Sequence, residues 1–349
     1  MIMKIFSILV TAVLVLGTAT PPPNKDNPLP QHIIVMVVPG LGASQMAYAR
    51  TQSDNTLFMD QFEVRATLLP YALAQGGITG ALSMLLNGRT DTLDGSRGNL
   101  LLQAKELGYA TAFLTTDQLF TGNGALTLGL DEKGLAGRSP VATVAGLRHD
   151  LLMGGGAWTL NGDDRMEVLL ALQKEGYTHY SGLKGNARRM KGERLMVTEA
   201  DQVLPPAMSG RKDFLSDAWD NVLYRMPMGS GGKSFTVMYL HHVHQACAAN
   251  SPQYLVTEME DIDALAGKVL QAVQSPGNTL VVLVSPYETG GMALLPGKKD
   301  AGATGVAWHS KDATATETLV YAKGVGADEL QGAYAHHELW RRLHQLMGQ

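Results

Sequence analysis

Residues 32–50 read HIIVMVVPGLGASQMAYAR. The stretch through Val38 is a continuous β-rich apolar run, the pattern of a strand covered on both faces. It ends at Pro39-Gly40-Leu41-Gly42, a turn, and a helical pattern follows through Met46 to Arg50. A second such run, TLVVLV at 279–284, comes directly after the breaker Ser275-Pro276-Gly277-Asn278. Between and around them the chain alternates. Helices are expected at 78–86, at 100–107 with Gly108 as its C-terminal cap, and at 168–175 with Gly176 ending it. A longer helix spans 259–273, where Met259, Ile262, Ala266, Val269, Leu270 and Val273 share one face. Strands are expected at 110–114, 235–239 and 318–322, and a closing helix at 335–347. Strand–helix alternation of this kind predicts an α/β protein with a mostly parallel central sheet and helices on both faces. There is no internal repeat and no convincing linker, so residues 32–349 read as a single domain.

Composition narrows the function classes. Of 349 residues, 45% are apolar and 17% charged, which excludes wholesale disorder. Twenty-eight basic residues against 32 acidic ones give a net charge of −4, and no Lys/Arg run exists to track a phosphate backbone. A nucleic-acid partner is therefore not expected. One cysteine, Cys247, excludes an intramolecular disulfide and any multi-cysteine zinc site.

Residues 1–20, MIMKIFSILVTAVLVLGTAT, place Lys4 before a short apolar stretch and small residues at Gly17-Thr18-Ala19. This is the pattern of a secretory signal peptide. Residues 21–31 form a Pro-rich extended spacer. The expectation is export, to a bacterial periplasm, with no membrane span after signal cleavage. The rival is an uncleaved N-terminal anchor, although the apolar run is shorter than the ~20 residues that span a bilayer.

Several segments, in order, resemble the alkaline phosphatase family. IIVMVVPGLGASQMAYAR at 33–50 looks like that family's first strand, its Asp-Gly-Met-Gly turn and the helix after it. Asn87-Gly88 with Arg89 to Gly95 resembles the end of the nucleophile helix. Leu107-Gly108-Tyr109-Ala110-Thr111 through Thr115-Thr116 resembles the next helix–strand unit. DLLMGGG at 150–156 is similar to the Asp-x-x-Leu-Gly-Gly-Gly signature, and Glu175-Gly176-Tyr177-Thr178 follows it. NTLVVLVSPYETGG at 278–291 looks like the strand ending in Asp-His-Glu-Thr-Gly-Gly, and residues 308–324 and 332–347 resemble the family's C-terminus. Each piece is weak by itself, and their colinear order carries the resemblance.

The resemblance implies phosphomonoester hydrolysis by two zinc ions with a magnesium site beside them. It also implies a Ser or Thr nucleophile and an Arg fork on the phosphoryl oxygens. Carried over position by position, it places the first metal Asp at Pro39 and the Asp-Ser pair near Gly77-Ile78, with Thr79 the nearest hydroxyl. The magnesium positions fall near Thr121 and Asn123. The family's Glu, Asp and His after the strand at 235–239 fall at Tyr239, His244 and Ala248. Its Asp-His pair falls at Pro286-Tyr287, ahead of an intact Glu288-Thr289-Gly290-Gly291, and its final His at Ala313. No Arg matches well, though Lys133 and Arg138 lie nearby. A proline, a tyrosine and an alanine cannot replace the carboxylates and imidazoles that grip such cations.

Two functions follow as expectations. One is an inactive pseudophosphatase, holding no metal or cofactor, with a binding or structural role towards a protein or small-molecule partner; a variant of it is a ligand-binding protein that uses the vacated pocket, with Tyr239 and Tyr287 lining it. The other is a metal-dependent phosphate- or sulfate-ester hydrolase with a rebuilt site. There, His242 and His244 would point to one face of a continuing strand and share zinc or magnesium, with His309 as a third ligand and Glu288 retained. Members of the family are often dimers, so the resemblance also points to a homodimer. Other features are expected to be structural. These are a Gly154-Gly155-Gly156 turn, Cys247 as a small buried hydrophobe, and His336, His337 and His344 on a solvated face. Asp163, Asp164, Glu258, Glu260, Asp261 and Asp263 are expected to be exposed acids.

Overall fold

The computed structural model describes residues 28–53, 56–88, 98–130, 141, 147–157, 165–186, 189–211, 213–228, 232–274, 277–295 and 305–348. The signal-like segment, most of the spacer, Lys133, Arg138, Asp163, Asp164 and Arg89 to Gly95 lie outside them.

The first strand is β1, His32–Val37, followed by helix α1, Ala43–Gln52. Strand β2, Val64–Leu69, leads into helix α2, Tyr71–Asn87, then α3, Leu100–Glu106, β3, Ala110–Gln118, and the short α4, Gly122–Thr127. Strand β4, Leu151–Gly155, helix α5, Arg165–Lys174, β5, Tyr177–Ser181, and β6, Arg194–Ala200, build one end of the sheet. A short α6, Phe214–Ala218, runs on into a π-helix at Trp219–Met228. Next come β7, Ser234–Tyr239, α7, His242–Ala248, α8, Pro252–Gln274, and β8, Thr279–Val284. Small pairings follow in β9, Glu288–Thr289, β10, Ala293–Leu295, β11, Gly305–Ala307, and β12, Ala313–Thr314. The chain closes with β13, Thr318–Gly324, β14, Ala333–Ala335, and α9, His336–Leu346.

Ten strands form one sheet in the order β14-β2-β13-β8-β1-β7-β3-β4-β6-β5. Strand β13 runs antiparallel to β2 and β8, and the other pairings are parallel. The apolar run of β1 is explained by its central place. Ile33, Val35 and Val37 face one apolar cluster with α2, α3, α5 and α9, while Ile34, Met36 and Val38 face another with α1, α6 and α8. Both faces are covered, so polar alternation would bury unpaired groups.

Several expectations need correcting. Helix α2 starts seven residues before the apolar pattern at 78–86, and its two parts meet at Gly77, whose φ of 62° and ψ of −156° are not helical. Gly154 and Gly155 belong to β4 rather than to a turn. A Cβ on Gly154 would stand 2.6 Å from Thr115 Cγ2, so close strand packing is what requires glycine there. Glu258, expected to be exposed, is buried against the buried Arg211, which also pairs with Asp261 at 2.7 Å. Asp263 is likewise buried and accepts the N–H groups of Phe58 and Met59. His336 is fully buried and pairs through Nε2 with the carbonyl of Pro286 at 2.6 Å, instead of lying on a solvated face. His344 stacks on Trp340 with ring centroids 5.1 Å apart. Among the described residues, no helix is long and apolar enough to cross a membrane.

Candidate functional site

The carboxyl ends of β1, β7, β3 and β8 lie side by side, because these strands are neighbours and parallel. In open α/β sheets this is the edge where ligands bind. Short polar ties hold it in shape. Thr115 Oγ1 donates to the carbonyl of Tyr239 at 3.0 Å and accepts the N–H of Asp117 at 2.9 Å. Thr116 Oγ1 accepts the N–H of His241 at 2.9 Å. On the other side, Ser285 Oγ and the N–H of Gly40 both donate to the carbonyl of Tyr287, at 2.7 and 2.9 Å. Gly40, with φ of 87°, lets the turn after β1 press against α7, where an added Cβ would be 2.6 Å from the Cα of His244.

Four aromatic rings occupy this edge. Tyr239 and His241 stack with centroids 5.9 Å apart, His241 and His244 are 5.5 Å apart, and Tyr287 meets His244 edge-on at 5.6 Å. Tyr239 and Tyr287 are 1% and 2% exposed. Their hydroxyls lie near one another, with Asn123 beside Tyr239, but neither closes a hydrogen bond of ordinary geometry, and His241 Nδ1 is also buried without a partner. Burial is the main cause that pushes both phenols above their usual range, reinforced by the nearby Asp117. Burial likewise lowers His241, which Asp117 partly offsets, and lowers His244 to about 4.

Tyr287 also belongs to a small apolar cluster from α2 and β12. Ala72 and Ala81 pack on it, with Leu73, Ile78, Met84 and Ala313 around them. The structure therefore brings Ile78, Tyr287 and Ala313 together, and Tyr239, Tyr287 and His244 together. Pro39 and Pro286 are buried in the turns after β1 and β8, and Thr121 precedes α4. Thr79 is exposed on α2, while its neighbour Ile78 packs against that cluster.

The proposed histidine pair is not assembled as expected. Strand β7 ends at Tyr239 and His242 opens a helix, so His242 and His244 diverge instead of sharing a strand face. His242 is held by Tyr254 Oη at 2.5 Å and the Leu204 carbonyl at 2.8 Å, which occupies both of its nitrogens. His244 Nδ1 pairs with Thr289 Oγ1 at 2.9 Å, and His309 is exposed. Helical spacing pairs His241 with His244 instead, a residue that a strand-based assignment passes over. Asp117 carried no motif at all. Glu288 is 4% exposed and accepts from Gln45 Nε2 at 2.5 Å, from the N–H groups of Gly291 and Met292, and from Thr314 Oγ1. Its oxygens serve the turn. Cys247 is fully buried 3.8 Å from the Gly40 carbonyl, and burial pushes its thiol far up.

The donor set does not fit a two-zinc centre. The positions that would supply ligands hold Pro39, Ile78, Tyr239, Tyr287 and Ala313, and Ile78, Tyr287 and Ala313 share one small apolar cluster with Ala72 and Ala81. Among the described residues, no group of three His, Cys, Asp or Glu side chains could hold a metal ion.

No protein-family model matches the chain, and no curated protein matches it in sequence. Solved structures do match in fold. The alkaline phosphatase of the Antarctic bacterium TAB5 superposes with a TM-score of 0.80 at 21% identity, over 91% of this chain and 98% of that one. A cold-active alkaline phosphatase from a psychrophilic Shewanella gives 0.76 at 16% identity, over 91% and 100%. The Thermus thermophilus alkaline phosphatase gives 0.74 at 14% identity, over 97% and 96%. The chain thus has an alkaline-phosphatase-like α/β fold.

Proposed function

We propose that this chain is an exported, periplasmic pseudophosphatase: an alkaline-phosphatase-like protein that does not carry out metal-assisted ester hydrolysis and serves instead by binding a ligand or partner. The observation that supports this reading is the packing of Ile78 and Ala313 against the small apolar cluster of Ala72, Ala81 and Tyr287, at positions where the family resemblance calls for the nucleophile pair and metal ligands. Two divalent cations a few ångströms apart need carboxylates to offset their mutual repulsion. A hydrocarbon contact offers none, and Glu288, the carboxylate that the resembled motif retains, is occupied by Gln45, Thr314 and two backbone N–H groups.

The test is elemental analysis of the purified protein, together with turnover of a chromogenic phosphomonoester with zinc and magnesium added. The expected result is no stoichiometric zinc and no turnover above the buffer blank. Two equivalents of tightly held zinc, with turnover that a chelator abolishes, would overturn the proposal.

A further inference from the structure

A cavity of about 450 Å³ opens at the amino ends of β3 and β4, on the opposite edge of the sheet from the candidate site. Its volume lies in the range of small-molecule sites, roughly 300–1,000 Å³. The end of α3, the turn after α4 and the residues leading into β4 build its walls. Gly129 closes that turn at φ of 71°, and an added Cβ would stand 2.5 Å from Leu102 Cδ1. The interior is apolar. Leu128 and Leu147 are each 1% exposed, with Leu102 and Leu130 half-buried beside them.

One buried polar side chain interrupts that surface. His149 is also 1% exposed and lines the cavity. Its Nε2 pairs with the Leu128 carbonyl at 3.1 Å, and a carbonyl only accepts, so Nε2 carries the ring proton. Burial lowers the imidazole to about 4 and keeps it neutral, which leaves Nδ1 as a bare lone pair without a partner. A buried acceptor left in this state calls for an O–H or N–H. The mouth carries charge of both signs. Lys105 is tied to Asp150 at 2.5 Å, but Glu106 and Arg148 are exposed, and neither side chain has a partner among the described residues. A free carboxylate and a free guanidinium at one mouth suit a zwitterion, since a simple anion would meet Glu106 and a simple cation Arg148.

We propose that this cavity binds a free amino acid whose aromatic side chain carries a ring N–H or O–H, tryptophan or tyrosine. The ammonium faces Glu106, and the carboxylate takes the Arg148 fork. The ring lies among the leucines with its donor on His149 Nδ1. The site is separate from the candidate site, and the proposal does not depend on the pseudophosphatase reading. Calorimetry on the full chain tests it with four probes. These are L-tryptophan, L-phenylalanine (no side-chain donor), tryptamine (no carboxylate) and indole-3-propionate (no ammonium). Tryptophan is expected to bind about tenfold or more tightly than phenylalanine, which would leave the lone pair unpaired, and several-fold more tightly than the other two. Arg148→Ala should bring tryptophan down to the level of tryptamine, and Glu106→Gln to that of indole-3-propionate. Both positions are exposed, so the fold is kept. His149 stays unaltered, because its Nε2 and its carbonyl tie Leu128 and Tyr177. Instead, the nitrogen-15 resonance of its Nδ1 should move as that of an acceptor gaining a hydrogen bond when tryptophan is added, and should stay in place with phenylalanine. Equal affinity for tryptophan and phenylalanine, no binding of any probe, or tryptophan affinity unmoved by Arg148→Ala and by Glu106→Gln would overturn the proposal.

Discussion

Gln45 Nε2 donates a 2.5 Å hydrogen bond to Glu288 Oε1, joining two residues 243 positions apart and spending a buried carboxylate on holding α1 against β9. The same amide donates to the Thr289 carbonyl at 3.0 Å, and its own oxygen accepts the N–H of Gly42. A carboxylate surrounded by neutral donors in this way is anchored as a structural tie. Glu288→Ala would remove an acceptor from Gln45, from Thr314 and from the N–H groups of Gly291 and Met292. The expected cost is about 3 kcal/mol, read from urea denaturation midpoints. A cost below about 1 kcal/mol would show that the carboxylate is not structural.

Gly40→Ala is expected to destabilise the protein by about 3 kcal/mol. Its φ of 87° already disfavours an L side chain, and the new Cβ would sit 2.6 Å from a backbone atom of α7, which has no flexible end to give way. The same denaturation measurement checks it, with circular dichroism to confirm that the variant folds.

Tyr239→Phe and Tyr287→Phe should each leave stability unchanged or raise it by up to about 1 kcal/mol. Each removes a buried hydroxyl that has no well-formed hydrogen bond. Thermal unfolding of both single variants and the double variant is the check. A loss of 2 kcal/mol in either would mean that the hydroxyl is well bonded after all.

Arg211→Met should cost about 3–5 kcal/mol, because it strands Glu258, which is as deeply buried as its partner. Adding Glu258→Leu should recover most of the loss. Burial is the main influence raising the Glu258 carboxyl, and Arg211 is the main one holding it down, so the single variant should take up a proton at higher pH than the parent. A double variant no more stable than Arg211→Met would refute this account.

Stability should fall as pH drops from 6.5 to 5.5. Burial lowers His149 to about 4 and His242 to about 3, so as pH falls below 6.5 the unfolded chain binds protons that the folded chain refuses. The contribution of each is intact above 6.5 and is lost towards the folded values, and the two together amount to about 2 kcal/mol over that unit. Burial raises the Glu258 and Asp263 carboxyls, which oppose the trend only nearer the carboxylate range. Urea midpoints at pH 7.5 and 5.5 test the sign, and a higher midpoint at 5.5 contradicts it.

Much of the architecture was legible from periodicity. The runs at 32–38 and 279–284 could only be strands covered twice, and the glycines at 108 and 176, both at positive φ, end their helices where expected. Strand β2 is not legible as an apolar run, although its burial alternates down the strand, because Arg65 and Thr67 interrupt it. Helix α8 starts at Pro252, ahead of the amphipathic stretch at 259–273, because the polar Gln253, Thr257 and Glu258 interrupt the apolar pattern to which Leu255 already contributes a buried side chain.

The sequence by itself determined the class of fold, through the order of its strands, helices and turns. It also determined which side chains with metal-binding atoms are missing, since no folding adds a carboxylate to proline, isoleucine or alanine. Only the tertiary structure decided what stands there instead. Whether the three residues after Tyr239 continue a strand or open a helix depends on packing against α8 and the turn at Gly40, not on their own preferences. That choice sends His242 towards Leu204 and Tyr254 and brings His241 and His244 alongside two tyrosines.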